Sequence, residues 1–189
     1  MKMTRLKQWF VAAVVAGAGV WSANAAMTHT AVTLDTRAMI LAEVLPESCT
    51  YAATPGDYTV LTVTFNAGVS GEQFVLPDNL GPIAFDLNGQ TLVGAAGTEG
   101  TDASAGGDGA WVFKVGGGTQ ITVLDSAATA GAIVGGAGGN GTPVGKGAFA
   151  FVDASGAQFA VTDAQGLVSK GADGLAICTV TLNAQGGTG

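Results

Sequence analysis

The stretch that decides the predicted fold class is Tyr58-Thr59-Val60-Leu61-Thr62-Val63-Thr64-Phe65, in which polar and apolar residues alternate. Alternation of this kind predicts a half-buried β-strand, because successive side chains of a strand point to opposite faces. Leu61, Val63 and Phe65 form the more apolar face and are predicted to face the core. The turn residues Pro55-Gly56-Asp57 open the strand.

Working outward from this strand, turn residues and short apolar runs predict three β-hairpins. The strongest turn signal is Asn88-Gly89 between two apolar runs. The second hairpin spans 110–124 around a run of three glycines, and the third spans 148–162. In the third hairpin the residues predicted to face the core are Phe149, Phe151, Phe159 and Val161. A last strand is predicted over 175–182.

This pattern amounts to nine or ten short strands, with no helix of ordinary length and no repeat with a period of about 20–50 residues. The predicted fold class is therefore all-β, an immunoglobulin-like antiparallel β-sandwich with Gly-rich loops. The sandwich domain is predicted over 46–183, with a flexible tail over 184–189. The Gly-rich stretches are interpreted as linkers, since no phosphate-binding glycine motif occurs in them.

The segment 1–25 has the pattern of an export signal. Lys2, Arg5 and Lys7 precede an apolar run over 9–21, and Ala23-Asn24-Ala25 gives a small-x-small cleavage pattern. The run has about 13 residues, whereas a membrane-spanning helix needs roughly 20. We therefore predict that the segment 1–25 is cleaved, that no membrane span remains, and that the chain passes through the periplasm to the cell surface or medium.

The composition favours strands and turns and excludes some partners. Glycine accounts for 31 of the 189 residues and charged residues for only 11%, which suits short strands joined by tight turns. After cleavage, four basic residues stand against 14 acidic ones, a formal charge of −10. This charge disfavours nucleic acid and anionic membrane surfaces as partners.

The stretch 28–45 is the second informative one, because its alternation continues far beyond the length of an ordinary strand. Val32, Leu34, Ala38 and Ile40 lie on its apolar face. The pattern fits two consecutive strands with a bend near position 36, or an extended arm over 26–45 that pairs elsewhere. Helical spacing also fits 36–45 in part.

The two cysteines, Cys49 and Cys178, form an even pair in a chain predicted to be exported. Such a pair predicts a disulfide, here one that joins the start of the domain to its last strand. Two free thiols or a metal pair are the alternatives.

The sequence offers little catalytic chemistry. His29 is the only histidine and lies close to the predicted new N-terminus, so the domain body has no imidazole for nucleophilic catalysis or zinc binding. We predict that the chain is not an enzyme and uses no cofactor. A pair of carboxylates for glycoside hydrolysis stays open in principle, but 14 acidic residues single out no pair.

Two ligand sites are considered as alternatives. Calcium could be held by Asp102 with Asp108, or by Asp153 with Asp163 and Asp173, although aspartate is also an ordinary turn residue. A sugar-binding face could use the aromatic residues of the mature chain that carry a polar group, namely Tyr51, Tyr58 and Trp111. Core packing is the favoured role for the tryptophan.

The cleaved leader, the long apolar-faced strand over 30–40, the Gly/Thr/Ala-rich body and the single predicted disulfide together resemble fimbrial (pilin-like) subunits of the donor-strand family. The resemblance implies an immunoglobulin-like fold that lacks one strand, which the N-terminal extension of the next subunit fills by β-strand addition. Val32, Leu34, Ala38 and Ile40 would be the inserted side chains. It further implies a homopolymeric surface filament, because head-to-tail contacts do not close. A monomeric secreted adhesion module is the alternative.

Overall fold

The computed structural model describes residues 33–178, which form a mixed α/β fold with one helix and eleven strands. The helix, α1, is Leu34–Val44. The strands are β1 Thr50–Thr54, β2 Asp57–Thr64, β3 Val69–Ser70, β4 Phe74–Leu76, β5 Gly81–Asp86, β6 Thr91–Val93, β7 Phe113–Val115, β8 Thr119–Leu124, β9 Ala132–Val134, β10 Phe151–Val152 and β11 Val168–Ser169.

The strands form three sheets that the chain visits in a fixed order. The sheets run β1-β2-β5-β8, β3-β6-β9-β11 and β4-β7-β10, and every strand pair except β1–β2 is parallel. Three coils, β2-β3-β4, β5-β6-β7 and β8-β9-β10, therefore contribute one strand to each sheet, and β11 belongs to a fourth. This is the architecture of a parallel β-solenoid. The predicted all-β antiparallel sandwich is wrong.

Matching residues of successive coils stack inside the solenoid. Leu61 pairs in register with Ile83, which pairs with Ile121. Leu61, Val63 and Phe65 are buried, so the predicted inward face of β2 is confirmed. In the third sheet Phe74, Phe113 and Phe151 occupy one register position of β4, β7 and β10.

We call these three phenylalanines the aromatic ladder. The ring centroids of Phe74 and Phe113 are 5.4 Å apart, and those of Phe113 and Phe151 are 4.9 Å apart with nearly parallel planes. Such spacings lie within the favourable range for aromatic pairs. The ladder therefore connects the three coils by side-chain packing in the core.

The predicted turns exist, but they do not close hairpins of paired strands. Asn88 and Gly89 both have positive φ, 48° and 74°, as a tight turn requires. The flanking strands β5 and β6 nevertheless belong to different sheets, so the turn forms a corner of the solenoid. The glycine turn over 116–118 likewise separates β7 from β8. The third predicted hairpin keeps one antiparallel bridge, between Val152 and Gln158.

The Gly-rich stretches, predicted to be linkers, are ordered segments that leave the solenoid between its second and third sheets. Segments 94–100, 135–141 and 170–176 run outward, and segments 105–111 and 143–149 run back. Outward neighbours are joined every third residue, for example by Gly94 N–H donating to Val134 O and Gly97 N–H to Ala137 O, at 2.9 and 2.7 Å. A repeat of this length is the period of a polyproline II helix. We call these five segments the glycine bundle.

Glycine is required in the bundle because the neighbouring backbones are in contact. A Cβ atom at Gly136 would lie 1.9 Å from the carbonyl oxygen of Ala95, and one at Gly139 would lie 1.9 Å from that of Thr98. Both glycines also connect layers, since their N–H groups donate to Ala110 O and Gly107 O. The packing resembles the axis of the collagen triple helix in admitting only glycine.

Helix α1 packs on the first coil. Thr33 caps its N-terminus by accepting from Thr36 N–H. Leu34, Ala38 and Leu41 are buried on the face towards the core. The sequence over 34–44 therefore forms a helix instead of the predicted strand, and helical spacing, the alternative reading of 36–45, matches the structure.

Several predictions fall outside the described residues. These are the leader over 1–25, His29, Val32, most of the predicted last strand and the tail over 184–189. Of that strand, only 175–178 are described, with a single bridge between Gly141 and Ala176. Within residues 33–178, no helix is long and apolar enough to cross a membrane.

Candidate functional site

Within the part of the chain that the structure describes, the two ends of the solenoid are different. At the N-terminal end, β1 covers the edge of β2, and α1 covers the first coil. Arg37 of α1 is 2% exposed and donates to three backbone carbonyls, those of Thr59 at 2.7 Å, Pro82 at 2.9 Å and Leu80 at 3.1 Å. This end is therefore covered over the core and the first sheet, a form of terminal capping that repeat architectures generally need, whereas β3 and β4 are edge strands of the other two sheets.

The C-terminal end is open within residues 33–178. The third sheet ends at β10 and the second at β11, while the first continues only by a bridge between Thr122 and Thr162. The chain itself covers part of the outer side of these last strands, because Phe159 N–H donates to Phe151 O at 3.0 Å and Val168 N–H donates to the carboxylate of Asp163 at 2.8 Å. Edge groups that stay unpaired are templates for the strand of another chain.

A cavity of about 370 Å³ lies at this open end. Phe151, the last ring of the aromatic ladder, is buried beside it, and Phe159, Val161 and Val168 are half-buried around it. Phe149 is 36% exposed. Of the residues predicted to face the core here, Phe151 is buried, and Phe159 and Val161 pack against the core as half-buried side chains, whereas Phe149 is exposed.

Polar groups at the rim are held by the protein's own chain. The carboxylate of Asp163 accepts from Val168 N–H at 2.8 Å and from Gln165 N–H at 3.3 Å. Lys170 Nζ lies 2.9 Å from Asp173 Oδ1. The hydrogen bond from Lys170, followed by that from Gly147 N–H, lowers the pKa of Asp173. The site thus offers an apolar surface with fixed charges of both signs at its edge.

The predicted donor-strand residues do not belong to this site. Leu34 and Ala38 are buried on the inner face of α1, and Ile40 packs against the core from the same helix. Their side chains already pack in the core of their own domain. A strand that delivered them to another subunit would first require α1 to unfold.

The predicted disulfide between Cys49 and Cys178 is wrong, because both cysteines are free. Cys49 is buried just before β1 in the first coil, whereas Cys178 is exposed after the last glycine segment. The solenoid separates the start of the domain from its end, while a sandwich would bring them together. Burial raises the pKa of Cys49 to about 12, so its thiol is unreactive at neutral pH.

The proposed calcium ligands are not brought together. Asp108 accepts from Lys146 N–H, Asp173 accepts from Gly147 N–H, and Asp153 closes its own turn with Ser155. Among residues 33–178, no group of three or more His, Cys, Asp or Glu side chains could hold a metal ion. These carboxylates fasten turns and glycine segments.

The aromatic residues considered for a sugar site are spread through the fold. Tyr51 is buried in β1 and Tyr58 lies partly buried in β2. Trp111 is half-buried at the base of a returning glycine segment. The aromatic residues at the open end were instead hidden in the sequence as ordinary core positions. The signal that could have identified them is the nearly even spacing of the aromatic ladder along the chain, at positions 74, 113 and 151.

Comparison with known proteins gives no relative from which a function could be transferred. No protein-family model, no curated protein and no solved structure matches this chain.

Proposed function

We propose that this chain is an exported, non-enzymatic structural module of the cell surface that works by docking to another protein through its open C-terminal end. The observation that carries the proposal is the asymmetry of the solenoid. Within the described residues, α1 covers the core at one end, whereas an apolar cavity lies at the other.

The open end has the two elements that recognition by β-strand addition uses. Main-chain groups at a sheet edge hold the added strand, and pockets take its alternate side chains. Here β11 and the short segment around Gln158, which pairs with β10, supply the edges, and the cavity beside Phe151 supplies the pocket. The proposal thus keeps assembly by strand addition from the fimbrial resemblance, but it moves the contact from the N-terminal arm to the C-terminal end.

Export is supported by the sequence of the segment 1–25, with its basic start, apolar run and cleavage pattern. A structural role also agrees with the construction of the glycine bundle. Its segments are joined backbone to backbone at glycines that leave no room for side chains. Such a bundle is a stiff spacer that depends little on side-chain chemistry.

The experiment is photocross-linking on cells that express the full chain with its leader. A photoreactive residue replaces Val168 in β11, and a control replaces Val75, which is 55% exposed in β4 of the first coil. We expect a cleaved chain outside the cytoplasm that forms a defined cross-link from position 168 and none from position 75. A chain that stays in the cytoplasm would contradict the export step. An exported chain without cross-links from position 168 would contradict the docking step.

The cavity itself favours a second candidate, a secreted module that binds a small apolar or sugar ligand. Its volume of about 370 Å³ lies within the range of small-molecule sites, which are mostly apolar with a few polar groups. This candidate predicts that a ligand raises the melting temperature of the mature chain by mass action. Replacement of Phe159 by Ala would abolish that shift, and a screen of glycans and apolar compounds without any shift would count against it.

A further inference from the structure

We infer that the partner at the open end binds through a glycine-rich polyproline II segment, which joins the glycine bundle as a fourth outward segment beside 170–176. The inference rests on the proposed function and names the chemistry of the partner. Three features of the described residues support it: a row of unpaired N–H groups, the different composition of the two edges of the bundle, and the side chains that exclude a further returning segment.

The hydrogen bonds that join one outward segment to the next stop at the third segment. Every third N–H over 135–141 donates to a carbonyl oxygen of the third segment or of the strand that leads into it, at 3.0, 2.8 and 3.0 Å. The equivalent residues of the third segment are Lys170, Asp173 and Ala176, because Gly141 forms its bridge with Ala176. All three are exposed, and their N–H groups have no acceptor in the described chain. Since three residues of a polyproline II helix span about 9 Å, these donors form a row with the spacing of such a segment.

The opposite edge of the bundle is closed to a further segment. A Cβ atom at Gly136 or Gly139 would lie 1.9 Å from a carbonyl oxygen of the first outward segment, so a segment packs beside its predecessor only with glycine at these positions. Their counterparts in the first outward segment are Ala95 and Thr98, whose carbonyls accept in the same way from a segment that runs back. The side chains of Ala95 and Thr98 therefore exclude a preceding segment, and they also exclude the first outward segment of a second copy as the partner.

At the edge formed by 170–176, only the partner has to provide glycine. Cβ atoms at Gly171 and Gly174 would lie 2.1 and 2.0 Å from carbonyl oxygens of the second outward segment. A fourth segment in the same register would contact the carbonyls of Gly171 and Gly174, so it needs glycine at every third residue. The sequence over 179–185 contains no glycine, so the stretch directly after the described residues does not meet this requirement.

The third outward segment has no room for a returning segment above it. In the second outward segment, Cβ atoms at Gly135 and Gly138 would lie 1.9 and 2.1 Å from carbonyl oxygens of the segment that runs back. The equivalent residues here are Lys170 and Asp173, which carry side chains. Asp173 Oδ1 accepts from Gly147 N–H at 2.8 Å and from Lys170 Nζ at 2.9 Å. Both side chains thus lie towards the returning segments and leave the row of N–H groups uncovered, so the partner adds one extended segment instead of an out-and-back pair.

The test uses the chain over 26–189 and a labelled peptide of about five Gly-Ala-Thr repeats, which has glycine at every third residue. Fluorescence anisotropy measures binding, and amide hydrogen exchange locates the site. We expect the peptide to bind and, at saturation, to slow exchange at Lys170, Asp173 and Ala176 by about tenfold or more.

Two proline variants test the row of donors. Ala176→Pro removes one donor and keeps a backbone that suits polyproline II, so it should weaken peptide binding about threefold or more. Ala96→Pro is the matched control, because Ala96 is an exposed residue of the first outward segment, and it should leave peptide binding unchanged. A peptide with alanine at every second glycine should also bind about threefold or more weakly, which covers the case in which Ala176→Pro misfolds.

Several outcomes would overturn the inference. Absence of peptide binding would do so, as would equal binding of the two peptides or protection of amides elsewhere in the chain. Binding only after deletion of 179–189 would show that the chain's own tail occupies this edge, and self-association that Ala176→Pro abolishes would identify a second copy. In cells, a cross-link from position 168 to a protein without glycine at every third residue would reject the inference and leave the proposed function standing. No cross-link from that position would reject the docking on which the inference rests.

Discussion

Replacement of Arg37 by Met tests how the closed end of the solenoid is stabilised. The guanidinium is 2% exposed and donates three hydrogen bonds, to the carbonyl oxygens of Thr59, Leu80 and Pro82. These bonds join α1 to β2 and to the entry of β5. Methionine keeps most of the side-chain volume, so the substitution removes the bonds with little loss of packing.

The expected loss follows from two opposing contributions. Each hydrogen bond that involves a charged group contributes about 1.5–3 kcal/mol. Two costs oppose this stabilisation. The buried cation is desolvated, which also lowers the pKa of Arg37, and its Nε atom has no hydrogen-bond partner. The carbonyl of Leu80 would be left buried and unpaired, at a cost of about 1–3 kcal/mol. We therefore expect Arg37→Met to lower the free energy of unfolding by about 2–4 kcal/mol.

Urea unfolding of the chain over 26–189 at fixed protein concentration measures this loss. Trp111, the only tryptophan in that part of the chain, reports the transition. Arg37→Lys keeps the charge but not the planar fork of donors, and it should lie between the wild type and Arg37→Met. Lys146→Met removes an exposed charge and should change stability by no more than about 0.5 kcal/mol. An Arg37→Met variant as stable as the wild type would refute the reasoning, since the bonds would then merely offset the cost of burying the charge.

Three further predictions address the glycine bundle, the acid response and the thiols. Gly139→Ala places a Cβ atom 1.9 Å from Thr98 O and should lower the free energy of unfolding in urea by about 3 kcal/mol or more. Gly117→Ala is the control, because the nearest atom to its Cβ would be 3.8 Å away, and it should be nearly neutral. Equal effects of the two substitutions would contradict the packing described. The carboxylate of Asp125 accepts from Gly131, Ala127 and Gly89 N–H groups, which lower its pKa. The ionised Asp125 therefore stabilises the fold above its unfolded pKa of about 4, and this stabilisation is lost as the pH falls through the lower folded pKa. Asp125→Asn should consequently flatten the decline in the free energy of unfolding below about pH 4. An unchanged pH profile would count against this role. Without reductant, a maleimide should label one cysteine in the native mature chain, Cys178, and a second only after denaturation, whereas an unreactive denatured chain would indicate a disulfide.

The parts of the fold that the sequence predicted are those that depend on single strands. Leu61, Val63 and Phe65 face the core in either a sandwich or a solenoid, because alternation depends only on the strand's own geometry. The turn at Asn88-Gly89 is equally local, and both residues do have positive φ. A turn signal does not specify the partner of the strands that it joins, and this led to the wrong prediction of antiparallel hairpins.

The repeat is hidden in the sequence because the coils differ in length. The first coil passes from β3 to β4 directly, whereas the next two insert out-and-back glycine segments at the corresponding place. The step along the chain from Leu61 to its partner Ile83 is therefore much shorter than the step from Ile83 to its partner Ile121. No single period relates these positions, and only the aromatic ladder keeps a nearly constant spacing.

The glycine bundle shows how the same composition supports two opposite interpretations. Glycine content alone predicts flexible linkers. The spacing of the glycines along the chain, in contrast, indicates the ordered structure. Glycines recur at every third position at 94, 97 and 100 and again at 135, 138 and 141, the period of a polyproline II helix. The N–H of each of these glycines donates to a carbonyl of the neighbouring outward segment or of the strand that leads into it. The period therefore sets which backbones can lie side by side.

The candidate site could not be predicted from the sequence, because it consists of core positions that no further coil of the described chain covers. Phe151 and Phe113 occupy the same register position, yet Phe113 lies between two rings of the ladder whereas Phe151 has a ladder ring on one side only in the described chain. Nothing in a local window distinguishes the last coil of a solenoid from an internal one. The difference arises from where the coils stop, and for that reason the functional proposals depend on the ends of the fold instead of on a motif.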